Sequence, residues 1–195
     1  MKMQLKLPLI LASLSPRRRH LMKKAGIEFK IVPSDVKETH SWLRPSSLVK
    51  FLALKKAVSV SRKHPGSLVL GADTVVYVGG KIIGKPKSER DAEEILRRQS
   101  GRWQRVFTGV ALVWDGGRSR KSGVSVSRVK MRVLAAADID WAIRHHLDKA
   151  GAYAVQQKDD PFIEQIIGDY DNVVGLPMRV VRKLLKPFTG RRASL

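Results

Sequence analysis

Asp73 and Lys85 place an acid and a base twelve residues apart on a stretch that folds back on itself. A carboxylate deprotonates or orients water, and an ammonium neutralises charge growing on a leaving oxygen. The run Ser67-Leu68-Val69-Leu70 has the length and branched composition of a buried strand, and is expected to stop at Gly71-Ala72, just before Asp73. Apolar residues resume at Val75, Val76 and Tyr77, Gly79-Gly80 suits a two-residue hairpin turn, and Lys81-Ile82-Ile83 returns antiparallel. The chain then breaks at Gly84, presents Lys85 and is stiffened by Pro86. With the turn there, Thr74 and Lys85 lie near opposite ends of paired strands, and Asp73 and Lys85 are able to face one cleft. The plainer alternative is a surface Asp and a surface Lys flanking a hairpin.

A second group is Ser13-Leu14-Ser15-Pro16-Arg17-Arg18-Arg19. Ser15 reads as a helix N-cap with Pro16 in the first helical position, the helix running to Ala25 and ending at Gly26. Three arginines in a first turn oppose the positive end of the helix dipole, at a surface cost of about 0.3 to 1 kcal/mol each. A bound phosphate would reverse that sign, because free helix amides and guanidinium forks both suit phosphate oxygens. The alternative is that the arginines point into solvent. Lys55 and Lys56 sit mid-helix beside Leu52, Ala53 and Ala57, and without other information read as a solvated pair. Asp35 and Glu38 fall in a loop after Pro33-Ser34.

Composition limits the classes. The chain of 195 residues is 43% hydrophobic and long enough for one generous domain, read as residues 1–195 with a basic tail from about 188. Its apolar runs fall short of the roughly 20 residues of a membrane helix, and Leu7-Pro8-Leu9-Ile10-Leu11 is too short and too interrupted for a signal core. The expectation is a soluble, cytoplasmic protein. Without cysteine there is no disulfide, no thiolate nucleophile and no cysteine-built zinc site. The net charge of +21 points to polyanionic partners, yet the basic residues are spread along the chain and aromatics make up only 6%. Nucleic acid is therefore an alternative partner rather than the favoured one.

The supporting elements alternate irregularly. Residues 5–12 and 28–32 read as strands, and Pro45 opens a helix to about Lys63. Asp91–Gln99 reads as a helix with Ser88 at its start, and Arg105–Trp114 as a strand in which Thr108-Gly109 suggests a bulge or close backbone approach. After the Asp115-Gly116-Gly117 turn, the returning strand changes phase between Val126 and Val129, which suggests a bulge at Ser127-Arg128. Ile139–Leu147 reads as a helix capped by Asp138, with His145 and His146 on its surface. Phe162–Ile167 is a strand, Gly168–Asn172 a turn, and Met178–Lys186 the last helix. Two hairpins among these elements make the sheet mixed.

Leu11-Ala12-Ser13-Leu14-Ser15-Pro16-Arg17-Arg18, Gly71-Ala72-Asp73-Thr74, Gly84-Lys85-Pro86, and Tyr153-Ala154-Val155-Gln156 with Asn172-Val173-Val174-Gly175-Leu176-Pro177 closely resemble the Maf family of nucleoside triphosphate pyrophosphatases. Order and spacing match as well, from about residue 9 to 186. The resemblance implies an α/β fold whose mixed, twisted sheet with flanking helices forms two lobes around a central cleft. It also implies hydrolysis of a nucleoside triphosphate to monophosphate and pyrophosphate, a divalent cation (Mg2+ or Mn2+), a homodimer, and links to septum formation and nucleotide clearance. By position, Ser13, Arg17 and Arg18 resemble the triphosphate-binding loop, Asp73 the general base, Lys85 its partner cation, Lys56 the lysine of the Leu-Ala-x-x-Lys-Ala segment, and Glu38 the acid after the Pro-Ser loop. Arg17, Thr74 and Gln156 fall where the branch acting on dTTP and UTP differs from the 7-methyl-GTP branch, which carries Gln and Glu at the last two positions. The resemblance thus implies dTTP and UTP as substrates.

Those residue types suit the reaction. Attack of water on phosphorus needs an oriented or deprotonated nucleophile and neutralised charge on the leaving pyrophosphate. Lysines and arginines around Asp73 are expected to keep it ionised, so Asp73, like Glu38, serves either as base or as metal ligand. Lys37 where an acid usually precedes Glu38, Gln104 for a frequent His, and Gln157-Lys158 for a small Gly depart from the family pattern.

Overall fold

The computed structural model describes residues 3–36, 44–147, 150–152 and 162–190. In chain order its elements are β1 (Leu9–Leu11), α1 (Pro16–Lys24), β2 (Lys30–Ile31), α2 (Pro45–Ser61), β3 (Leu68–Val78), β4 (Lys81–Ile83), α3 (Glu89–Gln99), β5 (Trp103–Trp114), β6 (Ser119–Met131), α4 (Ala136–His146), β7 (Ile163–Ile167), α5 (Tyr170–Val174) and α6 (Met178–Leu185). The strands form one mixed sheet in the order β2-β1-β3-β5-β6-β7, with β4 paired to β3. β1 is parallel to β2 and β3, whereas β3–β4 and β6–β7 are antiparallel. This is the mixed α/β sheet expected from the alternation of strands and helices.

Two compact units make up the chain: Met1–Asp73, Thr108–Ser125 and Gly175–Leu195 form unit 1, and Thr74–Phe107 with Val126–Val174 form unit 2. In unit 1 the small face of α2, Ala53, Ala57 and Val60, packs on Ile10, Ala12 and Val69 of the β1–β3 side and on Ala111 and Val113 of β5. In unit 2 Ala92, Ile95 and Leu96 of α3 and Ile139 and Ala142 of α4 bury Val76, Val78, Val106, Val129 and Met131. Burying apolar surface at about 25 cal/mol per Å2 gives each unit its own driving force.

β3 departs from the sequence expectation. It does not stop before Asp73 but runs eleven residues through it, from Leu68 to Val78. Gly71 is there for contact rather than for a turn: a Cβ on it would lie 2.3 Å from the Ala53 carbonyl oxygen and 2.9 Å from the Ala57 nitrogen, both on the α2 backbone. Gly109 in β5 does the same one turn earlier on α2, where a Cβ would meet the Val49 oxygen at 2.3 Å. Two glycines thus let the helix lie down on the strands, which matches the close-approach reading of Thr108-Gly109.

The hairpin turn is where the glycine pair places it. Gly79 and Gly80 take φ of +54° and +79°, and the ladder pairs Val78 with Lys81, Tyr77 with Ile82 and Val76 with Ile83. Elsewhere the boundaries shift. β2 is two residues long, α4 starts at Ala136 with Asp138 accepting from the Ala135 N–H at 2.9 Å, and Tyr170–Val174 is a short helix instead of a turn. His146 is buried, its ring against Trp141 and Phe162, while His145 stacks on Trp141 at the surface. In β6 the buried positions are Ser127, Val129 and Met131, and Val126 is exposed, so the alternation holds through Ser127-Arg128. The irregularity on the β7 side falls between Lys130 and Met131. A buried serine had broken the apolar pattern without breaking the strand.

Candidate active site

Lys56 and Asp73 meet inside unit 1. The Lys56 Nζ donates to Asp73 Oδ1 at 2.6 Å, and each side chain is 8% exposed. The local cause is in the sequence. Ala53 and Ala57, one turn apart, face Gly71, and the absence of a Cβ there brings α2 close enough for a lysine on the same helix to reach the residue two positions beyond Gly71. Lys55, next to it, points to solvent. The expected solvated lysine pair is therefore split, one member exposed and one buried on a carboxylate.

The Ser13 loop and α1 form the second half of this arrangement. Ser15 caps α1, its Oγ accepting from the Arg18 N–H at 3.4 Å, with Pro16 in the first turn. Gly26, at φ of +67°, follows the helix as expected. The Arg18 guanidinium is a clamp within unit 1: its Nε donates to the Gly175 carbonyl at 2.9 Å, and its Nη1 donates to the Ala72 carbonyl at 2.9 Å and to Ser13 Oγ at 3.2 Å. Ser13 Oγ also accepts from the Ser15 N–H at 3.3 Å. A hydroxyl that accepts in this way retains one proton to donate. Arg18 so fixes Ser13, the residue before Asp73, and Gly175 with one planar group. Arg17, half-buried, precedes it on α1.

Ser13, Arg17, Arg18, Lys56 and Asp73 all belong to unit 1, and Arg18 and Lys56 converge on the adjacent Ala72 and Asp73. Thr74 follows Asp73 in β3 and is the first residue of unit 2. Lys85 lies in unit 2, exposed, after β4. The β3–β4 ladder ends at Val76 and Ile83, two residues short of Thr74 and Lys85, which the register would place opposite each other. Glu38 and Gln156 lie outside the described residues, as do Lys37, Gln157 and Lys158.

Two anchors were not foreseen. The carbonyl oxygens of Ala72 and Gly175 carry no side-chain signal, and only the left-handed Gly175, at φ of +116°, hints at a special backbone site. In unit 2, the buried Asn172 donates to the Val106 carbonyl at 3.0 Å and to Ser127 Oγ at 2.9 Å, and Ser127 donates to the Asp169 carbonyl at 2.9 Å. An Asn before two valines, at the start of the Asn172–Pro177 segment, was the available clue.

Among the described residues no three His, Cys, Asp or Glu side chains form a cluster able to hold a metal. Asp73 still suits a hard cation that takes one or two carboxylates and draws its other ligands from phosphate oxygens and water. The donor chemistry of the site fits magnesium or manganese brought together with a nucleotide.

The comparisons with known proteins point one way. The model of the family described as Maf-like protein matches residues 8–188. The chain is 45% identical over 180 residues to the dTTP/UTP pyrophosphatase of Elusimicrobium minutum, covering 92% of this chain and 98% of that one. It is 44% identical to the dTTP/UTP pyrophosphatase of Dictyoglomus turgidum, with 92% and 95% covered, and 40% identical to that of Pyrococcus abyssi, with 91% and 95% covered. With its Ser13–Arg18 loop clamped beside a buried Lys56–Asp73 pair and this likeness running through almost the whole sequence, the chain belongs to the Maf family.

Proposed function

We propose that this chain is a nucleoside triphosphate pyrophosphatase that hydrolyses dTTP and UTP to the monophosphate and pyrophosphate. The observation that carries the reading is the Lys56–Asp73 pair, a charged couple buried one residue from a carbonyl that Arg18 holds. Buried ion pairs are a poor source of stability, so a lysine and an aspartate held together at 8% exposure each point to chemistry rather than packing. Relatives at 40 to 45% identity carrying the name dTTP/UTP pyrophosphatase support the substrate class.

In this reading Arg17 and the first turn of α1 take the phosphates, with Ser13 donating its hydroxyl proton to a phosphate oxygen. Arg18 acts through position: it sets Ser13 and the backbone on which Asp73 stands. Lys56 fixes the orientation of the Asp73 carboxylate and balances its charge, so that Asp73 presents an oxygen to the attacking water or to a cation. Lys85 neutralises charge on the leaving pyrophosphate, and Glu38 is a second carboxylate for water or metal. Both assignments, and those of Thr74 and Gln156 as selectors of the base with Arg17, rest on the motifs in which these residues stand. A divalent cation held by Asp73 and Glu38 would supply positive charge to the phosphate oxygens. A cytoplasmic location and a homodimer complete the reading, the latter open to light scattering.

The test is pyrophosphate release from dTTP, UTP, CTP, GTP and 7-methyl-GTP with Mg2+ or Mn2+. The expected result is turnover concentrated on dTTP and UTP and abolished by a chelator. Turnover of 7-methyl-GTP above dTTP would overturn the substrate assignment, and release of inorganic phosphate alone would overturn the reaction.

A further inference from the structure

The positive charge is not shared between the two units. Unit 1 contains 24 Lys and Arg against 5 Asp and Glu, a surplus of 19, whereas unit 2 contains 14 against 12, a surplus of 2. Of the acids in unit 1, Asp73 is buried on Lys56, Asp35 pairs with Lys63 and Asp115 with Arg118. Helices α1, α2 and α6 contain no acidic residue at all.

α6 shows how the surplus is arranged. Met178, Val181, Leu184 and Leu185 are buried, and Arg179, Arg182, Lys183 and Lys186 are exposed. The basic positions follow i, i+3, i+4 and i+7, the spacing of one helix face, and form a stripe about 10 Å long. Like charges at these spacings cost a few tenths of a kcal/mol per pair, and the C-terminal dipole offsets only those in the last turn. Neighbouring segments extend the patch. A Cβ on Gly123 of β6 would lie 2.8 Å from the Val180 side chain, so β6 passes beside α6, and Arg120 and Lys121 are exposed on that strand. Residues 3–6 bridge Ile27 after α1 and Thr189 after α6, and the exposed Lys23 and Lys24 end α1.

We propose that this α6-centred surface of unit 1 binds the phosphate backbone of duplex nucleic acid without reading its sequence. A duplex carries one charge per ~1.7 Å of its axis, so a stripe of this length faces several phosphates, and binding is driven by counterion release. The surface lacks what other anionic partners require. The apolar face of α6 is buried in the core, so the helix has nothing to insert into a lipid headgroup layer. No Phe, Tyr or Trp lies within α6, α1 or Arg118–Lys121 to give unpaired bases a stacking platform. The proposal does not depend on the hydrolytic reaction, since none of the stripe residues has a role in it.

The experiment is fluorescence anisotropy of a labelled duplex of about 20 base pairs against the full chain at about 50 to 300 mM salt. It is repeated with R179Q/R182Q/K183Q/K186Q and with the charge-conserving R179K/R182K/K183R/K186R, each checked for native circular dichroism. The wild type is expected to bind with log K falling linearly with log salt. The Gln variant should lose at least tenfold in affinity and about 3 units of slope, the charge-conserving variant should keep both, and dTTP turnover should be the same in all three. Absence of wild-type binding at about 50 mM salt, or equal binding by the Gln variant, would overturn the proposal. So would loss of binding in Arg17→Gln alone, which would put the duplex at the Ser13–Arg18 loop, and so would equally tight binding of phosphatidylserine vesicles through the same residues.

Discussion

An ammonium 2.6 Å from a carboxylate, both about one-tenth exposed, is sustained only while each group keeps the other. Removing one partner of such a pair costs about 3 to 5 kcal/mol because the survivor stays buried and uncompensated. Asp73→Ala should therefore lower stability by about that much in urea unfolding, whereas Asp73→Asn, which keeps an acceptor oxygen for Lys56, should lose clearly less. Activity comparisons belong on the Asn variant for that reason. Arg18 is a different case. Three acceptors on separate segments share its fork, and a lysine is a single point charge that cannot hold them together. Arg18→Lys should raise the KM for dTTP and lower the unfolding free energy by about 1 to 3 kcal/mol, the range for buried polar groups left without a partner. Full activity and stability in that variant would show that the clamp is dispensable.

The elements explain why these residues meet. α2 lies on the sheet because Gly71 and Gly109 leave room for its backbone, and adding one methyl group at Gly71 puts it 2.3 Å from a carbonyl oxygen. Gly71→Ala should destabilise the fold by about 1 to 3 kcal/mol, as overpacking does, and should cut turnover further by pulling Lys56 off Asp73. Circular dichroism melts and pyrophosphate release, measured on one preparation, separate the two effects. This same glycine marks the limit of what the sequence could say. Ser15-Pro16 with Gly26 and the Gly79-Gly80 pair each have one backbone meaning, and α1 and the hairpin lie where those residues put them. Gly71 has two, a break or a close approach, and the neighbouring apolar pattern is the same for both. α2 is apolar on most sides, so the buried lysine was not distinguishable from Lys55 until the strand beneath it was known. Ser127, Asn172 and His146 were misread or passed over for a related reason: each is a polar residue in the core, satisfied by partners far away in the chain or packed against rings, and local patterning has no access to such partners.

At the scale of the whole molecule the chain combines a family fold with an uneven charge. A surplus of 19 on one unit repels itself, and salt screens that repulsion within a Debye length of ~10 Å at 0.1 M. The thermal midpoint should rise between about 20 and 200 mM salt, and rise less in R179Q/R182Q/K183Q/K186Q; an equal rise in both would mean that the α6 stripe carries none of the strain. No helix among the described residues is long and apolar enough to cross a membrane. The motifs made the reaction class legible and singled out Ser13, Arg18, Lys56 and Asp73, which the fold gathers in unit 1, because short segments of fixed spacing carry the Ser13–Arg18 loop and Asp73. The partition of charge was not legible, since basic residues spread evenly along a chain say nothing of which unit they fold into. The most direct check on the account is the rate of pyrophosphate release from dTTP by Asp73→Asn beside the wild type at saturating substrate and metal. A fall of at least about 10^2-fold with the fold retained is the predicted result, in the range expected for a positioned acid–base group; wild-type turnover without the carboxylate would contradict the assignment of the buried pair as the centre of the reaction.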